Sequence, residues 1–463
     1  MAKLPRPREA GALAAALLLG CGAGPIRPRP VARIESCHYD VRIASQHVVE
    51  VDARCKGEGL VGFRGTEKML PFIANAKSGG SAVLHQQGLF RTATLALSYR
   101  VDLGRAGEAI GDYDLADRIG DSVIAPASSF LLAPEPLTDA PVTVRVHHDA
   151  GTDFATGLRQ EGDGYSIDAH EIPLATYSYF GHFSRDAVQL PDARIEIVTL
   201  DRQLAAPAEV RTRWIEASAR AVAQFYGRFP VPRTVLGVLP VADRDNVLFG
   251  KVLPESAPGI VLLVGERASK RALYDDWVLV HELFHLGFPS FDKQGKWLDE
   301  GLATYYEPII RARAGFISER QVWREFFQEM PHGLSSVRAG LERSKNFRGM
   351  YWGGAIVCLL ADIEARRASQ GKVGLEAGLH RVLEAGGDAS RVWELSETVR
   401  LIDSAFSKPI LADLTGAYGQ LGASVDLPAL FGKLGVRGAG NSVEFDDKAP
   451  LASVRRAIVR TPR

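Results

Sequence analysis

The sequence feature that most constrains the fold is the pentapeptide His281–His285, which has the pattern H-E-x-x-H. The residues around it are mainly apolar and Gly287 follows, so the pattern predicts a buried helix that ends there. Residues four apart on a helix lie on one face, one turn apart, so His281 and His285 can bind one metal ion together. Glu282 projects about 100° around the helix axis, which suits a base beside the metal rather than a ligand.

A third ligand is needed, because a catalytic zinc site takes three protein ligands and leaves one position open. A second helical pattern follows, with apolar residues at helical spacing around Glu300. The spacer 286–299 is long enough for a loop and a return of the chain, so we predict Glu300 as the third ligand of one zinc ion per chain. Glu307, two turns on and on nearly the same face, is predicted to accept a hydrogen bond from a ligand imidazole. Thr304, one turn on, is the alternative for that role.

The pentapeptide and the later run Trp297–Tyr305, which reads WLDEGLATY, resemble the gluzincin metallopeptidases. The most similar pattern is that of the aminopeptidase N and leukotriene hydrolase family, whose second motif reads W-L-N-E-G-[FL]-A. The glycyl aminopeptidase family, with H-E-[FY]-F-H, is a near relative. The spacer before Glu300 is shorter than is usual in the first family, which indicates a divergent bacterial branch. The resemblance implies a zinc metallopeptidase in which His281, His285 and Glu300 bind the metal and Glu282 is the general base.

A second catalytic residue is implied by Met350–Ala355, which reads MYWGGA and resembles the family's Y-x-K-G-A. In the family this tyrosine hydrogen-bonds the oxyanion, so the resemblance implies that role for Tyr351, although Gly353 stands where the family has lysine. The alternative is an aromatic pair that opens a core helix.

The family's G-x-M-E-N segment, whose glutamate holds the free amine of the substrate, is not intact in the region 249–258. Glu255 is a candidate replacement for that glutamate, and an ordinary loop residue is the alternative. Aminopeptidase specificity is therefore not carried over, and the choice between exopeptidase and endopeptidase stays open. We expect N-acetylated peptides to be cleaved at rates comparable to those of free peptides.

The order of patterns along the 463 residues predicts a multidomain α+β chain. Alternating and β-branched segments predict an N-terminal all-β domain, and amphipathic patterns predict an α-helical domain near the C-terminus. The resemblance implies a thermolysin-like α/β catalytic domain between them. It also implies that Gly259–Val264 is the edge strand that pairs with extended substrate, with an ordinary sheet strand as the alternative. The predicted boundaries are 36–203 for the β-rich domain, 204–316 for the catalytic domain, 317–435 for the helical domain and 436–463 for a short strand-rich or loose tail.

The N-terminus reads as a lipoprotein signal peptide at 1–20 and a tether at 21–35. Basic residues precede the short apolar run Gly11–Leu19, and the run ends in Leu-Gly-Cys, which resembles a bacterial lipobox. In such proteins the signal is cut before the cysteine, here Cys21, which then carries lipid. The expected location is therefore the bacterial cell envelope, with the exported protein anchored by lipid on the periplasmic or outer surface. The alternative is a plain signal peptide with a chance cysteine.

Export implies an oxidising compartment, in which cysteines pair. Cys37 and Cys55 flank a segment of alternating character that reads as a hairpin, so a disulfide between them is expected. Cys358 lies in an apolar helical run and is predicted to be a free, buried core residue.

The charge composition bears on which classes of partner the protein binds. Lysine plus arginine equal aspartate plus glutamate at 55 each, which gives no reason to expect nucleic acid. The expected partners are a peptide or protein substrate and, through the lipid on Cys21, a membrane; the sequence does not specify an oligomeric state. Two other functions remain open, a zinc hydrolase of a non-peptide bond and a lipid-anchored binding protein with a non-catalytic zinc. The intact Glu282 argues against the binding protein, because a structural zinc site needs no base and usually has four protein ligands.

The lipobox gives the first testable prediction. The wild-type protein should partition into the detergent phase after expression in a bacterium, because acylated Cys21 adds a buried hydrocarbon chain. The Cys21→Ser variant should remain in the aqueous phase. Identical partitioning of the two forms would contradict lipid attachment.

Overall fold

The computed structural model of the protein describes residues 33–460 except for 45–46, 150, 201–202, 255–256 and 292–293. The predicted signal peptide, the lipobox cysteine Cys21, nearly all of the tether and the candidate Glu255 lie outside the described residues. Within the described ranges, none of the helices combines the length and apolar character that crossing a bilayer requires.

An eight-stranded sheet organises the β-rich first part of the chain. Its central strand, Arg33–Ala44, pairs antiparallel with Val48–Glu58 and parallel with Pro141–His148. Alternate side chains of the central strand, among them Tyr39 and Val41, are buried, because successive residues of a strand point to opposite faces. In spatial order the strands of this sheet are Arg159–Glu161, Gly164–Asp168, Pro141–His148, Arg33–Ala44, Val48–Glu58, Ala96–Asp102, Ile73–Ser78 and Ser81–Ala82.

Two four-stranded sheets and the helix Leu103–Ile110 complete this β-rich part. One sheet contains, in spatial order, Asp153–Thr156, Tyr177–Gly181, Ser122–Pro126 and Asp117–Ile119. The other contains Ala133–Glu135, Gly62–Arg64, Leu89–Arg91 and His85–Gln86.

The predicted disulfide is confirmed. Cys37 and Cys55 stand directly opposite each other on the first two strands, with their Cα atoms 4.0 Å apart, and their sulfur atoms are bonded. Cys358 is free and fully buried, also as predicted. The bond therefore joins the two strands of the first hairpin.

A five-stranded sheet organises the region that follows. In spatial order its strands are Phe183–Leu190, Ala193–Leu200, Arg233–Val241, Gly259–Gly265 and Val247–Leu253. The second of these pairs parallel with Arg233–Val241, so the sheet includes two strands from before the predicted boundary at residue 203. Their inward side chains share a core with helix Ala208–Tyr226, which explains why these strands belong to the five-stranded sheet.

The prediction that Gly259–Val264 is an edge strand is wrong. Gly259–Gly265 pairs with a strand on each side, and Val247–Leu253 forms the edge. Gly259–Gly265 is almost wholly apolar and buried. Such a composition is typical of an interior strand that is covered on both faces. The true edge strand, Val247–Leu253, exposes Phe249 and half-exposes Lys251.

Helices dominate the remainder, as predicted. The helices after the first sheet are Ala208–Tyr226, Lys270–Tyr274, Val278–His285, Lys296–Arg313, Glu319–Glu329, Leu334–Ala339, Phe347–Ala368, Glu376–Glu384, Leu395–Asp403, Ile410–Leu414, Leu427–Leu434 and Ala452–Val459. A π-helical turn, Thr415–Leu421, extends the tenth of them. One short parallel strand pair, Ser290–Phe291 with Val392–Trp393, joins the helical region to the loop after the H-E-x-x-H helix.

The C-terminal tail is more ordered than a loose segment. A hairpin of Val436–Ala439 and Ser442–Phe445 agrees with the strand-rich expectation, but the helix Ala452–Val459 follows it. Arg455 on that helix is 2% exposed and donates to the carbonyl oxygens of Leu434 and Gly435. The tail is therefore packed into the helical region.

Candidate metal centre

The H-E-x-x-H helix, Val278–His285, is fixed at both ends. At its start the two carboxylate oxygens of Asp276 accept hydrogen bonds from backbone amides of the first turn, each at 3.0 Å. Such capping satisfies amides that have no partner inside the helix. Burial raises the pKa of Asp276 to about 6. At its end the Tyr226 hydroxyl donates to the Phe284 carbonyl at 3.1 Å, so an unpaired C-terminal acceptor is also satisfied.

The three predicted ligands converge on one point. His281 Nε2 lies 3.2 Å from His285 Nε2 and 3.3 Å from Glu300 Oε2, and His285 Nε2 lies 3.5 Å from the same carboxylate oxygen. These separations match the edges of a tetrahedron whose centre lies about 2.0–2.1 Å from each donor, the bond length of zinc to imidazole and carboxylate. The donor set of two imidazoles and one carboxylate, held by two helices, therefore fits a zinc ion.

Asp299 orients His285, a role that the sequence analysis did not assign. Its Oδ1 lies 2.8 Å from His285 Nδ1, so Nδ1 carries the proton and Nε2 is free to bind a metal. Burial alone lowers the pKa of His285, but the carboxylates of Asp299 and Glu300 raise it well above the ordinary value. The available signal was the aspartate at the position where the family motif has asparagine.

The prediction that Glu307 accepts a hydrogen bond from a ligand imidazole is wrong. Its carboxylate accepts from Arg311 Nη1 at 2.7 Å, and burial raises its pKa to about 8. Seven residues along a helix amount to about 10.5 Å, which is beyond the reach of a glutamate at the metal even on the right face. The alternative Thr304 is not such a partner either, because its hydroxyl donates to the Glu300 backbone carbonyl at 2.7 Å.

Lys296 is a second neighbour of Glu300 that the sequence analysis missed. It stands one turn before Glu300 on helix Lys296–Arg313, with its Nζ 3.0 Å from Glu300 Oε1. Burial raises the pKa of the Glu300 carboxyl, but the adjacent imidazoles of His281 and His285 outweigh this and lower it far below the ordinary value. Glu300 is therefore a carboxylate, the form that binds a metal.

Glu282 is buried beside the edge strand. A Cβ atom added at Gly250 of that strand would lie 2.5 Å from Glu282 Cγ, so the glycine leaves the space that the glutamate occupies. Burial raises the pKa of Glu282, whereas the charges of His281 and His285 lower it, and burial is the larger effect. A carboxylate with a raised pKa accepts and returns a proton more readily near neutral pH than an exposed one.

Tyr351, on helix Phe347–Ala368, lies beside the candidate metal ligands. Its ring is stacked with that of His281, with 6.1 Å between the ring centroids. Burial, followed by the charge of Glu300, raises its pKa, so the phenol stays protonated and is a hydrogen-bond donor. The helix that carries Tyr351 packs closely against helix Lys296–Arg313, since a Cβ atom at Gly301 would lie 2.5 Å from Gly354 Cα. This close packing places Tyr351 near Glu300.

These side chains line one cleft of about 570 Å³. The edge strand contributes Phe249, Gly250 and Lys251 to the lining of the cleft, and the two helices that carry the candidate ligands and Tyr351 contribute the rest of the site. Tyr113 and Asp114 reach the cleft from the β-rich part. The candidate ligands thus face a space large enough for several residues of an extended peptide.

Neither a protein-family model nor a curated protein sequence matches the chain. Solved structures do match it. An aminopeptidase N family protein from Idiomarina loihiensis aligns over 86% of this chain and 78% of its own, with a TM-score of 0.66 and 16% identity. An M1 zinc metallopeptidase from Deinococcus radiodurans, solved as a mutant bound to a Tyr-Ser-Ala substrate, aligns over 86% of this chain and 96% of its own, with a TM-score of 0.51 and 15% identity. The chain has the fold of the M1 zinc metallopeptidases.

A third structure of this fold, native yeast LTA4 hydrolase, aligns over 85% of the chain and 68% of its own, with a TM-score of 0.51 and 10% identity. The resemblance drawn from the two motifs is therefore confirmed at the level of the M1 fold, as is the fold class with a β-rich N-terminal part and a helical C-terminal part. The motif His281–His285 and Glu300 lie in this fold with their donor atoms within 4.8 Å of one another.

The contact between Asp299 and His285 gives the second prediction. Asp299→Ala should weaken metal binding by about 10–100-fold, because a ligand imidazole without its carboxylate partner is less basic and less well oriented. Competition with a chelator measures this change. Asp275→Ala is the matched control, since Asp275 is exposed, pairs with Arg271 and should leave the metal affinity unchanged. Equal affinities of the Asp299 and Asp275 variants would remove Asp299 from the site.

Proposed function

We propose that the protein is a zinc-dependent metallopeptidase that hydrolyses peptide bonds, with Glu282 as the general base. The observation that carries the proposal is the convergence of His281, His285 and Glu300 in one cleft, with the Glu282 carboxyl buried beside them. The M1 fold of the chain supports the proposal, and so does the peptide bound to the Deinococcus radiodurans relative.

When bound, zinc supplies Lewis-acid chemistry, which lowers the pKa of water and polarises a carbonyl group. His281, His285 and Glu300 hold the ion, and Asp299 keeps His285 in the tautomer that binds. Glu282 accepts the proton of the attacking water on a carboxylate oxygen and returns it to the leaving amine. The phenol of Tyr351 donates a hydrogen bond to the carbonyl oxygen as negative charge develops there.

The alternatives are disfavoured by the form of the site. A non-catalytic zinc usually has four protein ligands, whereas the described residues around His281 supply three ligands and an adjoining open cleft. A zinc hydrolase of a non-peptide bond would use the same groups. An extended cleft bounded by a strand edge favours the peptide, because the edge offers backbone donors and acceptors to an extended chain.

We also propose that the protein is exported and anchored by lipid on Cys21 in the bacterial cell envelope. The disulfide between Cys37 and Cys55 supports an oxidising compartment, since such bonds are rare in the cytosol.

The metal centre gives the third prediction. The purified protein should hold about one zinc ion per chain, and alanine at His281, His285 or Glu300 should abolish both metal binding and hydrolysis of a peptide library. Glu282→Gln should retain the metal and lose activity, because the amide keeps the shape of the side chain but cannot accept the proton. Elemental analysis and mass spectrometry of the library make the two measurements. A fully active Glu282→Gln variant would overturn the mechanism.

The position of Tyr351 gives the fourth prediction. Tyr351→Phe should lower kcat by about 10²–10³ and leave KM nearly unchanged, because a donor to the oxyanion acts mainly in the transition state. Steady-state kinetics on a cleaved library peptide measure both constants. Phe347→Ala is a control on the same helix, where the side chain is 68% exposed. Wild-type kinetics in Tyr351→Phe would exclude the phenol from catalysis.

A further inference from the structure

An exposed tryptophan lies beside the candidate metal centre. Trp277 directly precedes the helix Val278–His285, whose residues from Val278 to Phe284 are all buried. Trp277 itself is 50% exposed and lines the cleft. Its indole stands one helical turn before His281, with 5.4 Å between the ring centroids and the two planes nearly perpendicular. A large apolar side chain is therefore open to the cleft next to a candidate metal ligand.

A second exposed aromatic residue comes from the edge strand. Phe249 is 46% exposed and also lines the cleft. Strand and helix touch next to both aromatic residues, since a Cβ atom at Gly250 would lie 2.7 Å from Val278 Cγ1. Gly250 follows Phe249 in the chain and Val278 follows Trp277. Exposed apolar surface that gathers in a groove is typical of a binding site, whereas single exposed apolar residues are common on any protein surface.

The lysines of the cleft are paired with acids within the protein. Lys251 Nζ lies 2.7 Å from Asp114 Oδ2, and Lys296 Nζ lies 3.0 Å from Glu300 Oε1. A charged substrate side chain would have to compete with these ion pairs. An apolar side chain would instead cover the exposed indole of Trp277, and burial of apolar surface is favourable because it removes that surface from water.

We propose that Trp277 is a specificity-determining residue that selects substrates with a large apolar or aromatic side chain beside the scissile bond. The scissile carbonyl must reach the point on which the candidate ligands converge, and successive residues of the substrate are about 3.8 Å apart. A ring centred 5.4 Å from the ring of His281 is therefore within reach of the side chain on one side of that bond. This inference rests on the proposed peptidase function and names a substrate class for it.

The competing explanation is that Trp277 only holds His281 in place. Within the described residues His281 Nδ1 has no hydrogen-bond partner, and the rings of Trp277 and Tyr351 lie on either contact of its imidazole. Loss of a supporting contact would weaken metal binding and slow all substrates by the same factor. Loss of a substrate contact would change the ratio of kcat/KM between substrates. That ratio therefore separates the two roles.

The test uses the zinc-loaded enzyme and a peptide that it cleaves in a peptide library. The residue on each side of the scissile bond is changed in turn to phenylalanine, alanine or arginine, and kcat/KM is measured for each peptide. At one of the two positions the wild-type ratio of phenylalanine to alanine should be about 10 or more, because a larger side chain that fills an apolar subsite gains at least this factor. Phenylalanine should also exceed arginine there.

Three variants complete the design. Trp277→Ala should lower the ratio of phenylalanine to alanine by about 3–10-fold, and Trp277→Phe should keep most of the preference because it retains an aromatic face. Phe347→Ala is the matched control and should keep the wild-type ratio, since Phe347 is 68% exposed and lies outside the described lining of the cleft. Competition with a chelator measures the metal affinity of each variant. An unchanged ratio in Trp277→Ala, with all peptides slowed alike, would overturn the inference and leave Trp277 as a support of His281.

The outcomes separate this inference from the function on which it rests. Cleavage with a ratio of phenylalanine to alanine near 1 at both positions would overturn the role of Trp277 and leave a zinc peptidase. A preference for arginine would overturn it as well, because the indole would then serve as a cation–π face for a basic side chain. The absence of any cleaved bond in the library with zinc-loaded protein would overturn the peptidase function itself, and this inference with it.

Discussion

The cleft depends on a contact between two helices that have no side chains where they touch. Gly301 on helix Lys296–Arg313 faces Gly354 on helix Phe347–Ala368, and a single methyl group on either would collide with the backbone of the other helix. Small residues let helix axes approach more closely than the usual 8–10 Å. Glu300 precedes the first glycine by one residue and Tyr351 precedes the second by three. The contact thereby brings a candidate metal ligand and a candidate oxyanion donor to one point.

Buried polar and charged groups also link the same two helices away from the cleft. Asp362 is fully buried on helix Phe347–Ala368 and accepts a hydrogen bond from the Tyr305 hydroxyl of the other helix at 2.8 Å. One turn on, Arg366 donates to Glu376 at 2.8 Å. Removing charges from water is costly, and the cost is offset only when each charge is paired in good geometry. Such a network tolerates little displacement, so it fixes the relative position of helices whose other ends carry the site.

The cleft also depends on the association of the β-rich part with the five-stranded sheet. A separate core cluster joins them, in which Tyr177 and Tyr179 of the β-rich part pack against Val235 and Val261 of the sheet. Tyr177 then uses its hydroxyl to position Asp114 at the cleft. The candidate metal ligands, Glu282 and Tyr351 are therefore held by helices, whereas the residues that line the cleft come from both parts of the chain.

The sequence by itself determined the candidate metal-binding set. Helical periodicity fixes His281 and His285 on one face, because it depends only on the local geometry of the chain, and a second helical pattern carries Glu300. The same local reasoning found the Cys37–Cys55 hairpin, because alternation and a short separation define it. Aspartate at a position where the family motif has asparagine was visible as well, although its contact with His285 was not.

Only the tertiary structure decided which strand forms the edge of the sheet, which acid orients a ligand and which charges enter the cleft. Strand order is a matter of long-range pairing, and so Val247–Leu253 rather than Gly259–Gly265 borders the cleft. Glu307 has the right helical face but lies too far along the axis, a distance that periodicity alone does not exclude. The pair of Asp114 and Lys251 joins residues 137 positions apart in the chain. Periodicity reports which face of an element is buried, and the packing of one element on another decides what that face meets.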